Sequence, residues 1–477
     1  MKTYENIFIN GSWVKPQDSN EYIDVINPAN EEIIAKVVLG SKKDVDVAAK
    51  AAREAFKKFY NTSVDERINL LESILENYKK RYDDICLAIS SEMGAPMEFT
   101  KKAQAATGIG HFKQAIQTLK TYNFEEQMGS SIIRREAIGV VGMITPWNWP
   151  INQITCKVAP ALAAGCSIIL KPSEVAPLNA LILAEVLQES GVPNGVFNLI
   201  NGTGVDVGAA ISSHPDIDMV SFTGSTQAGI SVAKLAADSV KRVHQELGGK
   251  SANILLDDST FEKAVTKGVR QLFSNSGQSC NAPSRMLVPS NKYEDTVNLA
   301  KAAAEKTIVG QPNDDNTIIG PVANVKQFNK IQELIEKGIN EGAELIIGGL
   351  GRPDSFDKGF YIKPTIFGNV KNDMTIAQEE IFGPVLCIIP YDSIEEAINI
   401  ANDSPYGLSG YISSENHEKA LDIASKIRSG NVHINYSPSS IDAPFGGYKQ
   451  SGNGREWGKF GLEDFLEVKA ILGGKVA

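Results

Sequence analysis

Short apolar runs that alternate with helical stretches decide the fold of this 477-residue chain. The first such run reads Val140-Val141-Gly142-Met143-Ile144, and a helical pattern follows it over residues 152–164. The alternation continues through further apolar runs at 167–170, 196–200, 219–222 and 252–256. Short apolar strands that alternate with helices are typical of a parallel sheet covered on both faces. We therefore predict a doubly wound α/β domain whose ligands bind at the carboxyl ends of its strands.

The sequence on either side of this block predicts further structure. Residues 262–435 alternate again, which indicates a second α/β unit, and residues 7–40 read as short strands and turns. From 44 to 91 apolar residues recur at helical spacing. Because 477 residues are too many for one hydrophobic core, we expect two or three domains.

Composition narrows the class of protein. The net charge of −10 argues against nucleic acid or an anionic membrane as partner. The N-terminus is polar and lacks the apolar run of a signal peptide, and the longest uncharged run, 137–156, carries prolines and amides that make it a poor membrane span. The five cysteines are odd in number and include no CxxC pair, so neither a disulfide framework nor a metal site is expected. We expect a cytoplasmic protein.

One cysteine has the surroundings of a nucleophile. Gly277-Gln278-Ser279-Cys280 lies in a run of small and polar residues directly after the apolar Leu272-Phe273. Small neighbours leave a thiol open to a ligand, and sulfur is the most nucleophilic side-chain atom at neutral pH. The alternative is a small buried hydrophobe, which is what most free cysteines are.

Two glycine-rich stretches are candidates for nucleotide binding. Residues 202–208 read GxGxxxG, one residue longer than the dinucleotide fingerprint, and a plain strand-to-helix turn is the favoured explanation. Phe222-Thr223-Gly224-Ser225-Thr226 ends a strand and opens a helix, where Gly224 allows close approach and unpaired N–H groups face a phosphate. A capped helix without a ligand is the alternative for this second stretch.

Three more stretches carry polar side chains next to predicted strands. Lys171 and Glu174 follow the strand 167–170, where Glu174 can accept hydrogen bonds from ribose hydroxyls and repel a 2′-phosphate, or both can lie in a solvated turn. Glu246 precedes two glycines and is either a general base with a pKa raised by burial or one half of a surface salt bridge. Asn148, between two Trp-Pro pairs, can donate to an oxyanion or cap a packed turn.

Together these stretches resemble the NAD(P)-dependent aldehyde dehydrogenase superfamily over nearly the whole chain. The resemblance lies in seven motifs that occur in the family's order: Pro-Trp-Asn-Trp-Pro (146–150), Lys-Pro-Ser-Glu (171–174), Phe-Thr-Gly-Ser (222–225), Glu-Leu-Gly-Gly-Lys (246–250), Gly-Gln-Ser-Cys (277–280), Glu-Glu-Ile-Phe-Gly-Pro (379–384) and Pro-Phe-Gly-Gly-Tyr-Lys-Gln-Ser-Gly (444–452).

The resemblance implies a role for each matching position. Cys280 matches the nucleophile, Glu246 the general base, and Asn148, with the backbone N–H of Cys280, the oxyanion hole. Glu456 matches a second carboxylate that is sometimes assigned to proton relay. The implied cofactor-binding positions are Ile144, Trp147, Lys171, Glu174, Gly204, Gly224, Ser225, Leu247, Glu380 and Phe382.

The resemblance also implies an architecture of three parts. We expect an NAD-binding domain (1–118 and 138–248), a catalytic domain (249–448), and a small oligomerisation arm with the tail (119–137 and 449–477). The fold class is α/β and aldehyde dehydrogenase-like, with two doubly wound parallel-sheet domains plus the arm. The expected assembly is a homo-oligomer, either a dimer or a tetramer.

The implied activity is oxidation of an aldehyde to the carboxylic acid with NAD, through a cysteine thiohemiacetal and a thioester. NADP is a less favoured cofactor because Glu174 is acidic. Trp149, Phe445 and Trp457 suggest an apolar substrate tunnel, or only core packing. The rival activities are a dehydrogenase that passes the acyl group to CoA and a thiol hydrolase that pairs Cys280 with one of the five histidines.

Overall fold

Two large sheets with helices on both faces dominate the computed structural model, which describes residues 1–474. The N-terminal part contains the elements β1 (Lys2–Tyr4), β2 (Ile7–Ile9), β3 (Ser12–Val14), β4 (Tyr22–Asn27), β5 (Glu32–Val38), α1 (Lys42–Phe59), α2 (Val64–Lys80), α3 (Tyr82–Met93), α4 (Met97–Phe99) and α5 (Ala105–Thr121). The next part contains β6 (Glu125–Met128), β7 (Ser131–Ala137), β8 (Val140–Ile144), α6 (Pro150–Ala164), β9 (Ser167–Lys171), α7 (Leu178–Glu189), β10 (Phe197–Leu199), α8 (Ala209–Ser213), β11 (Met219–Thr223), α9 (Thr226–Ala237) and β12 (Arg242–Glu246).

The second half of the chain builds the other large sheet and then returns to the first. Its elements are β13 (Ala252–Leu255), α10 (Phe261–Phe273), β14 (Arg285–Pro289), α11 (Tyr293–Glu305), α12 (Val325–Asn340), β15 (Glu344–Ile347), β16 (Thr365–Gly368), α13 (Thr375–Gln378), β17 (Val385–Tyr391), α14 (Ile394–Asn402), β18 (Tyr406–Gly407), β19 (Ser409–Ser413), α15 (His417–Lys426) and β20 (Asn431–Ile434). The return segment contains β21 (Tyr448–Lys449), β22 (Gly452–Asn453), α16 (Gly458–Asp464) and β23 (Leu466–Ile471).

The first large sheet has the order β22-β12-β11-β8-β9-β10-β2-β3. Its middle strands, β12 to β10, run parallel, while β22, β2 and β3 are antiparallel additions at the two edges. The register pairs Ile144 with Lys171, Phe222 with Ile144, and Thr223 with Glu246. The carboxyl ends of four neighbouring strands therefore meet at one edge, where ligands of such sheets bind.

Apolar strands that are buried on both faces explain this sheet. Every residue of β8, β9 and β11 is buried, and one hydrophobic cluster lies on each face. Helices α2, α5 and α6 contribute to one cluster, and α1 and α8 to the other. This arrangement confirms the predicted doubly wound α/β fold.

The second large sheet has the order β15-β16-β17-β14-β13-β19-β20 and is parallel except at β15. Helix α10 packs on it through Phe261, Val265, Val269 and Leu272, a helical spacing of apolar residues. The loop that carries Cys280 begins where α10 ends.

A small antiparallel sheet, in the order β23-β7-β6, joins the segment before β8 to the return segment. It falls within residues 119–137 and 449–477, the expected arm, of which residues 475–477 lie outside the described part. The domain boundaries at 248 and 448 stay a prediction. Over the described chain no helix is both long and apolar enough to cross a membrane.

Sequence pattern predicted many elements but missed several strands. Helix α10 (Phe261–Phe273) begins the second alternating block that the pattern predicts from about residue 262. In contrast β12, β16 and β19 carried no strand prediction. Strand β12 reads Arg-Val-His-Gln-Glu, a polar sequence that does not resemble a buried strand. The structure nevertheless buries its last three residues, which include Glu246.

Candidate active site

The loop that presents Cys280 has an unusual backbone. Asn275, Ser276 and Gly277 all have positive φ, at 54°, 56° and 74°. A Cβ on Gly277 would lie 2.1 Å from the carbonyl oxygen of Gly383, so only glycine fits there. Small residues therefore let the loop pack tightly and still leave Cys280 partly exposed, whereas the other four cysteines are buried.

A buried amide network holds Asn148 against this loop. Asn148 Nδ2 donates to the Gln278 carbonyl oxygen at 3.0 Å, and Asn275 Nδ2 donates to the Asn148 carbonyl oxygen at 3.0 Å. Gln104 Nε2 donates to the same Asn148 oxygen at 3.1 Å. Since an amide NH₂ has two hydrogens, one N–H of Asn148 is left for a ligand beside the sulfur.

One cleft brings many of the predicted site residues together. It lies between the carboxyl edge of the first sheet and the Cys280 loop. The residues that line it are Pro146, Trp147, Asn148, Gln153, Thr223, Gly224, Ser225, Leu247, Gly248, Cys280, Gln327, Lys330, Glu380 and Phe382. Of the predicted positions, Ile144, Lys171, Glu174, Gly204, Glu246 and Glu456 are not part of this lining.

Glu246 is buried at the carboxyl end of β12, with 2% of its surface exposed. Its Oε1 lies 3.3 Å from His244 Nε2, while its Oε2 has no hydrogen-bond partner. Burial raises the pKa of this carboxyl to about 8, although His244 opposes the shift. The surface salt bridge that the sequence left open is therefore wrong, and the group is poised to exchange a proton near neutral pH.

A second buried carboxylate, Glu456, forms an ion pair with the buried Lys157. Burial alone would raise the pKa of Glu456, but the Lys157 ammonium holds it below its ordinary value. The Cys156 thiol donates to the other Glu456 oxygen at 3.4 Å. Both oxygens of Glu456 are thus engaged, in contrast to those of Glu246.

The Cys280 thiol has a raised pKa because it is desolvated and faces negative charge. Burial is the main cause, and the carboxylates of Glu380, Glu246 and Glu456 add to it. The resting sulfur is therefore protonated at neutral pH, and a base is needed to release its proton.

Glu380 and Phe382 occupy the side of the cleft opposite the first sheet. Glu380 Oε1 accepts from the Gly249 N–H at 2.9 Å, and a Cβ on Gly248 would lie 2.5 Å from its Oε2. Phe382 has a φ of 59° and packs edge-on against Trp147, with ring centroids 5.5 Å apart. Gln327 Nε2 supports this turn by donating to the carbonyl of Phe382 at 2.9 Å.

Groups that suit a dinucleotide lie at the far end of the cleft and just outside its lining. Ser225 is the N-cap of α9 and accepts from the Ala228 N–H, so the unpaired N–H groups of this 12-residue helix face the cleft beside Gly224. Lys171 Nζ and Glu174 Oε2 form an ion pair of 2.7 Å at the end of β9. The helix N-terminus suits a pyrophosphate, and the Glu174 and Glu380 carboxylates suit ribose hydroxyls.

Ile144 and Gly204 border this region without lining the cleft. Ile144 is buried at the end of β8, 3.8 Å from where a Cβ on Gly208 would lie. Gly204 begins a π-helical turn, Gly204–Gly208, and has open space where its side chain would be.

None of the five histidines, all within residues 1–474, lines the cleft that contains Cys280. His433 stacks on Tyr411, and His111 bonds Asn152 at 2.8 Å. In the same described part, no group of three or more Asp, Glu, His and Cys side chains has a metal-binding arrangement. Among the described residues that line this cleft, there is therefore no imidazole to act as a base for Cys280.

Some contacts of the site carried no signal in the sequence, although Gln278 itself lies in the Gly-Gln-Ser-Cys motif at 277–280. Gln104 lies 171 residues from Asn275, which it hydrogen-bonds at 3.1 Å. Gln278 anchors the loop by accepting from the Ala323 N–H at 2.9 Å. Polar residues inside helical or loop patterns look solvated until their distant partners are known.

Comparison with known proteins gives a consistent picture. A sequence model of the aldehyde dehydrogenase family matches residues 13–471. A 3-succinoylsemialdehyde-pyridine dehydrogenase from a Pseudomonas species is 53% identical, over 99% of both chains. A putative aldehyde dehydrogenase of Staphylococcus aureus is 49% identical, again over 99% of both chains.

Solved structures match equally well. Aldehyde dehydrogenase C from Pseudomonas syringae, in complex with NAD+ and octanal, has a TM-score of 0.98 at 49% identity, with 99% of this chain and 97% of that one covered. An aldehyde dehydrogenase of Mycobacterium tuberculosis in complex with NAD+ has a TM-score of 0.97 at 41% identity, with 100% of both chains covered.

We predict that Gly277→Ala destabilises the loop and buries or misplaces the thiol. The left-handed backbone costs about 1–2 kcal/mol for alanine, and the clash with the Gly383 carbonyl adds roughly 1–3 kcal/mol. Denaturant unfolding and the rate of Cys280 alkylation measure the two effects. Gly191→Ala is the matched control, since Gly191 also has a positive φ but open space around it. Equal effects of the two substitutions would show that the close packing at Gly277 is unimportant.

Proposed function

The chain belongs to the aldehyde dehydrogenase family, and from that premise we propose that it oxidises an aldehyde to a carboxylic acid with NAD+ through a covalent intermediate on Cys280. The observation that carries the proposal is the cleft in which the partly exposed Cys280 lies beside Asn148, Glu380 and the N-terminal end of α9. When bound, NAD+ supplies the chemistry of hydride acceptance.

The first half of the reaction places charge where Asn148 can stabilise it. The Cys280 thiol gives its proton to solvent water in the cleft, the sulfur bonds to the carbonyl carbon, and the electron pair of the C=O π bond moves to the oxygen, which becomes an alkoxide. We assign the free N–H of Asn148 and the backbone N–H of Cys280 as its donors. Because the Gln278 carbonyl fixes the Asn148 amide at 3.0 Å, this donor needs little reorganisation as the charge develops.

The second half of the reaction needs a base for water. Loss of hydride from the carbon leaves a thioester on Cys280, which water hydrolyses to the acid and the free thiol. We assign Glu246 as the base, because burial places its pKa at about 8 and one of its oxygens has no partner. Glu456 is the weaker candidate, because Lys157 and Cys156 engage both of its oxygens.

The cofactor assignment follows the chemistry of the cleft. We propose that Gly224 and Ser225 hold the pyrophosphate, Lys171 and Glu174 the adenosine ribose, and Glu380 the second ribose. Trp147, Leu247 and Phe382 line the cleft near the sulfur, where a flat ring can pack against them. We also assign Ile144 and Gly204 to cofactor binding, as the family resemblance implies.

For the substrate we propose an uncharged aldehyde with an apolar or aromatic body. Trp149 Nε1 donates to Ser279 Oγ at 2.9 Å, beside the nucleophile, and Phe99 packs edge-on against the Trp149 ring at 5.4 Å. Among the described residues that line the cleft there is no arginine to bind a carboxylate. The name of the Pseudomonas relative mentions a pyridine, and the P. syringae structure holds octanal.

We further propose the three-part division at residues 248 and 448 and a homo-oligomer, dimer or tetramer. The small sheet β23-β7-β6 supports this, because Val468 and Met128 on it are 67% and 62% exposed, which favours burial against another copy. We propose a cytoplasmic location, which suits a chain with five free thiols.

Cys280→Ser should lower NADH formation from octanal by at least about 1,000-fold, because a hydroxyl is a far weaker nucleophile than a thiolate. The measurement is absorbance of NADH under saturating aldehyde and NAD+. Cys86→Ser, in the buried core of α3, serves as the control and should retain turnover. Near-normal turnover of the Cys280 variant would remove the proposal.

Glu246→Gln should leave the first burst of NADH intact and slow thioester hydrolysis by roughly 100- to 10,000-fold, the usual contribution of a general base. Stopped-flow NADH formation reports the first step, and intact mass measurement of the acylated protein reports the second. If both steps slow equally, Glu246 does not act as the base for hydrolysis. Acyl transfer to added CoA at a faster rate than to water would favour the CoA-acylating alternative.

NAD+ should be used with a higher kcat/KM than NADP+, because the Glu174 carboxylate would repel a 2′-phosphate. Glu174→Gln should reduce the ratio of the two kcat/KM values about tenfold, the effect of roughly 1.4 kcal/mol. Glu189→Gln removes a carboxylate from the end of α7 and is the matched control. A preference for NADP+ in the unmodified protein would contradict the assignment of Glu174.

A further inference from the structure

A buried histidine links the proposed base to the C-terminal return segment. His244 and Glu246 are two residues apart on β12, so both side chains point to the same face of the strand. His244 Nε2 lies 3.3 Å from Glu246 Oε1, and His244 Nδ1 lies 2.5 Å from Asp464 Oδ2. The imidazole thus stands between two carboxylates, and only 2% of its side chain is exposed.

The two contacts determine the charge of the ring. The Nδ1 contact with Asp464 is an ion pair without hydrogen-bond geometry, so the two carboxylates favour the charged ring through their charge. Burial alone would lower the pKa of His244, but Asp464 and Glu246 raise it to about 9. The ring is therefore a cation at neutral pH.

Asp464 is itself held in place. Its Oδ2 accepts from the Arg455 N–H at 2.9 Å, and its backbone carbonyl accepts from Arg242 Nη1 at 2.8 Å. Gly454 has a φ of 77°, and a Cβ there would lie 2.7 Å from Asp464 Oδ2 and 3.0 Å from the His244 ring. Glycine therefore lets the return segment close tightly over the histidine.

The surrounding charges explain why a cation is needed at this position. Lys157 on α6 is paired with Glu456, so it only partly offsets the charge of Glu246. The charged groups around His244 and Glu246, from β12, α6, the loop before α16 and α16, are Arg242, Glu246, Lys157, Arg455, Glu456 and Asp464. A protonated His244 adds a positive charge directly between the carboxylates of Glu246 and Asp464.

We infer that His244, held by Asp464, is a positioning residue for Glu246: it favours the ionised form of the carboxylate through its contact with Oε1 and leaves Oε2 free to take a proton from water. This inference rests on the proposed function. Glu246 accepts one proton from the attacking water, whose hydroxide oxygen bonds to the thioester carbon while the Cys280 sulfur leaves. His244 keeps its own protons throughout and touches neither substrate nor cofactor.

His244→Gln tests the inference, since glutamine can still donate one hydrogen bond but carries no charge. An opposite charge at this distance shifts a carboxyl pKa by about 1–3 units. In the profile of hydrolysis rate against pH, the acidic limb is the part where the rate rises as Glu246 loses its proton, and this limb should move at least about one pH unit higher. Below that limb, hydrolysis should be about tenfold slower, and at a pH of about 10 it should approach the rate of the unmodified protein. Acylation, seen as the burst of NADH, should be retained.

Asp464→Asn is the second variant, because an asparagine oxygen can still accept from the Arg455 N–H without charge. It should shift the limb in the same direction by a smaller amount. Glu467→Gln is the matched control: it removes a carboxylate that pairs with Arg242 at 2.9 Å on the surface of the same segment, and it should leave the limb unmoved. Mass measurement of the acylated protein after rapid quenching, across the pH range, gives the hydrolysis rate.

An acidic limb that stays in place in both His244→Gln and Asp464→Asn would overturn the inference. So would a parallel loss of the NADH burst and of hydrolysis at every pH, because that pattern indicates a structural role. If the unmodified protein forms no NADH with any aldehyde tested, the proposed function itself fails, which is a separate outcome. Should His244→Gln not fold, the limb in Asp464→Asn decides.

Discussion

A reciprocal pair of amide hydrogen bonds joins the two large sheets at the reacting sulfur. Asn148, after β8 of the first sheet, donates to the Gln278 carbonyl, and Asn275, after α10 of the second unit, donates back to the Asn148 carbonyl. Both side chains are nearly fully buried, so an unmade bond would cost about 1–3 kcal/mol. The position of the sulfur relative to the Asn148 N–H therefore depends on correct docking of the two sheets. A shift of one sheet relative to the other would break these hydrogen bonds, so the site would be lost abruptly and would not be adjusted in small steps.

The second constraint is electrostatic. Glu246, Glu380 and Glu456 all raise the pKa of the Cys280 thiol, in a region already shielded from water. A site this acidic can hold several carboxylates only if each has a distinct partner. Glu456 has Lys157, Glu380 has the Gly249 N–H, and Glu246 has His244. Because their partners differ, Glu246 and Glu456 have different pKa values. The pKa of Glu246 is about 8, whereas that of Glu456 is lowered, so Glu456 stays ionised.

Sequence pattern predicts the parts of this structure that local apolar periodicity determines. The strands β8, β9 and β11 and the helix α10 follow from apolar spacing, and so does the edge of the sheet at which the cleft lies. The roles of Cys280, Glu246 and Asn148 came from resemblance to a family, since each motif alone had an ordinary structural explanation. Burial of Glu246 could not be read from β12, because Arg242, His244 and Glu246 make that strand look solvated. The distant return segment covers this end of the strand by pairing β22 with β12.

That return segment shows why the site is a property of the whole chain. Strand β22 pairs with β12 so that Glu246 lies opposite Gly452, and the Leu247 N–H donates to the Ser451 carbonyl at 2.9 Å. Ser451 Oγ also donates to the Gly248 carbonyl at 2.7 Å, across 203 residues of sequence. Closing a loop of this length costs entropy, which the contacts of the return segment must offset. The desolvation that raises the pKa of Glu246 therefore depends on residues far away in the sequence, and not on β12 alone.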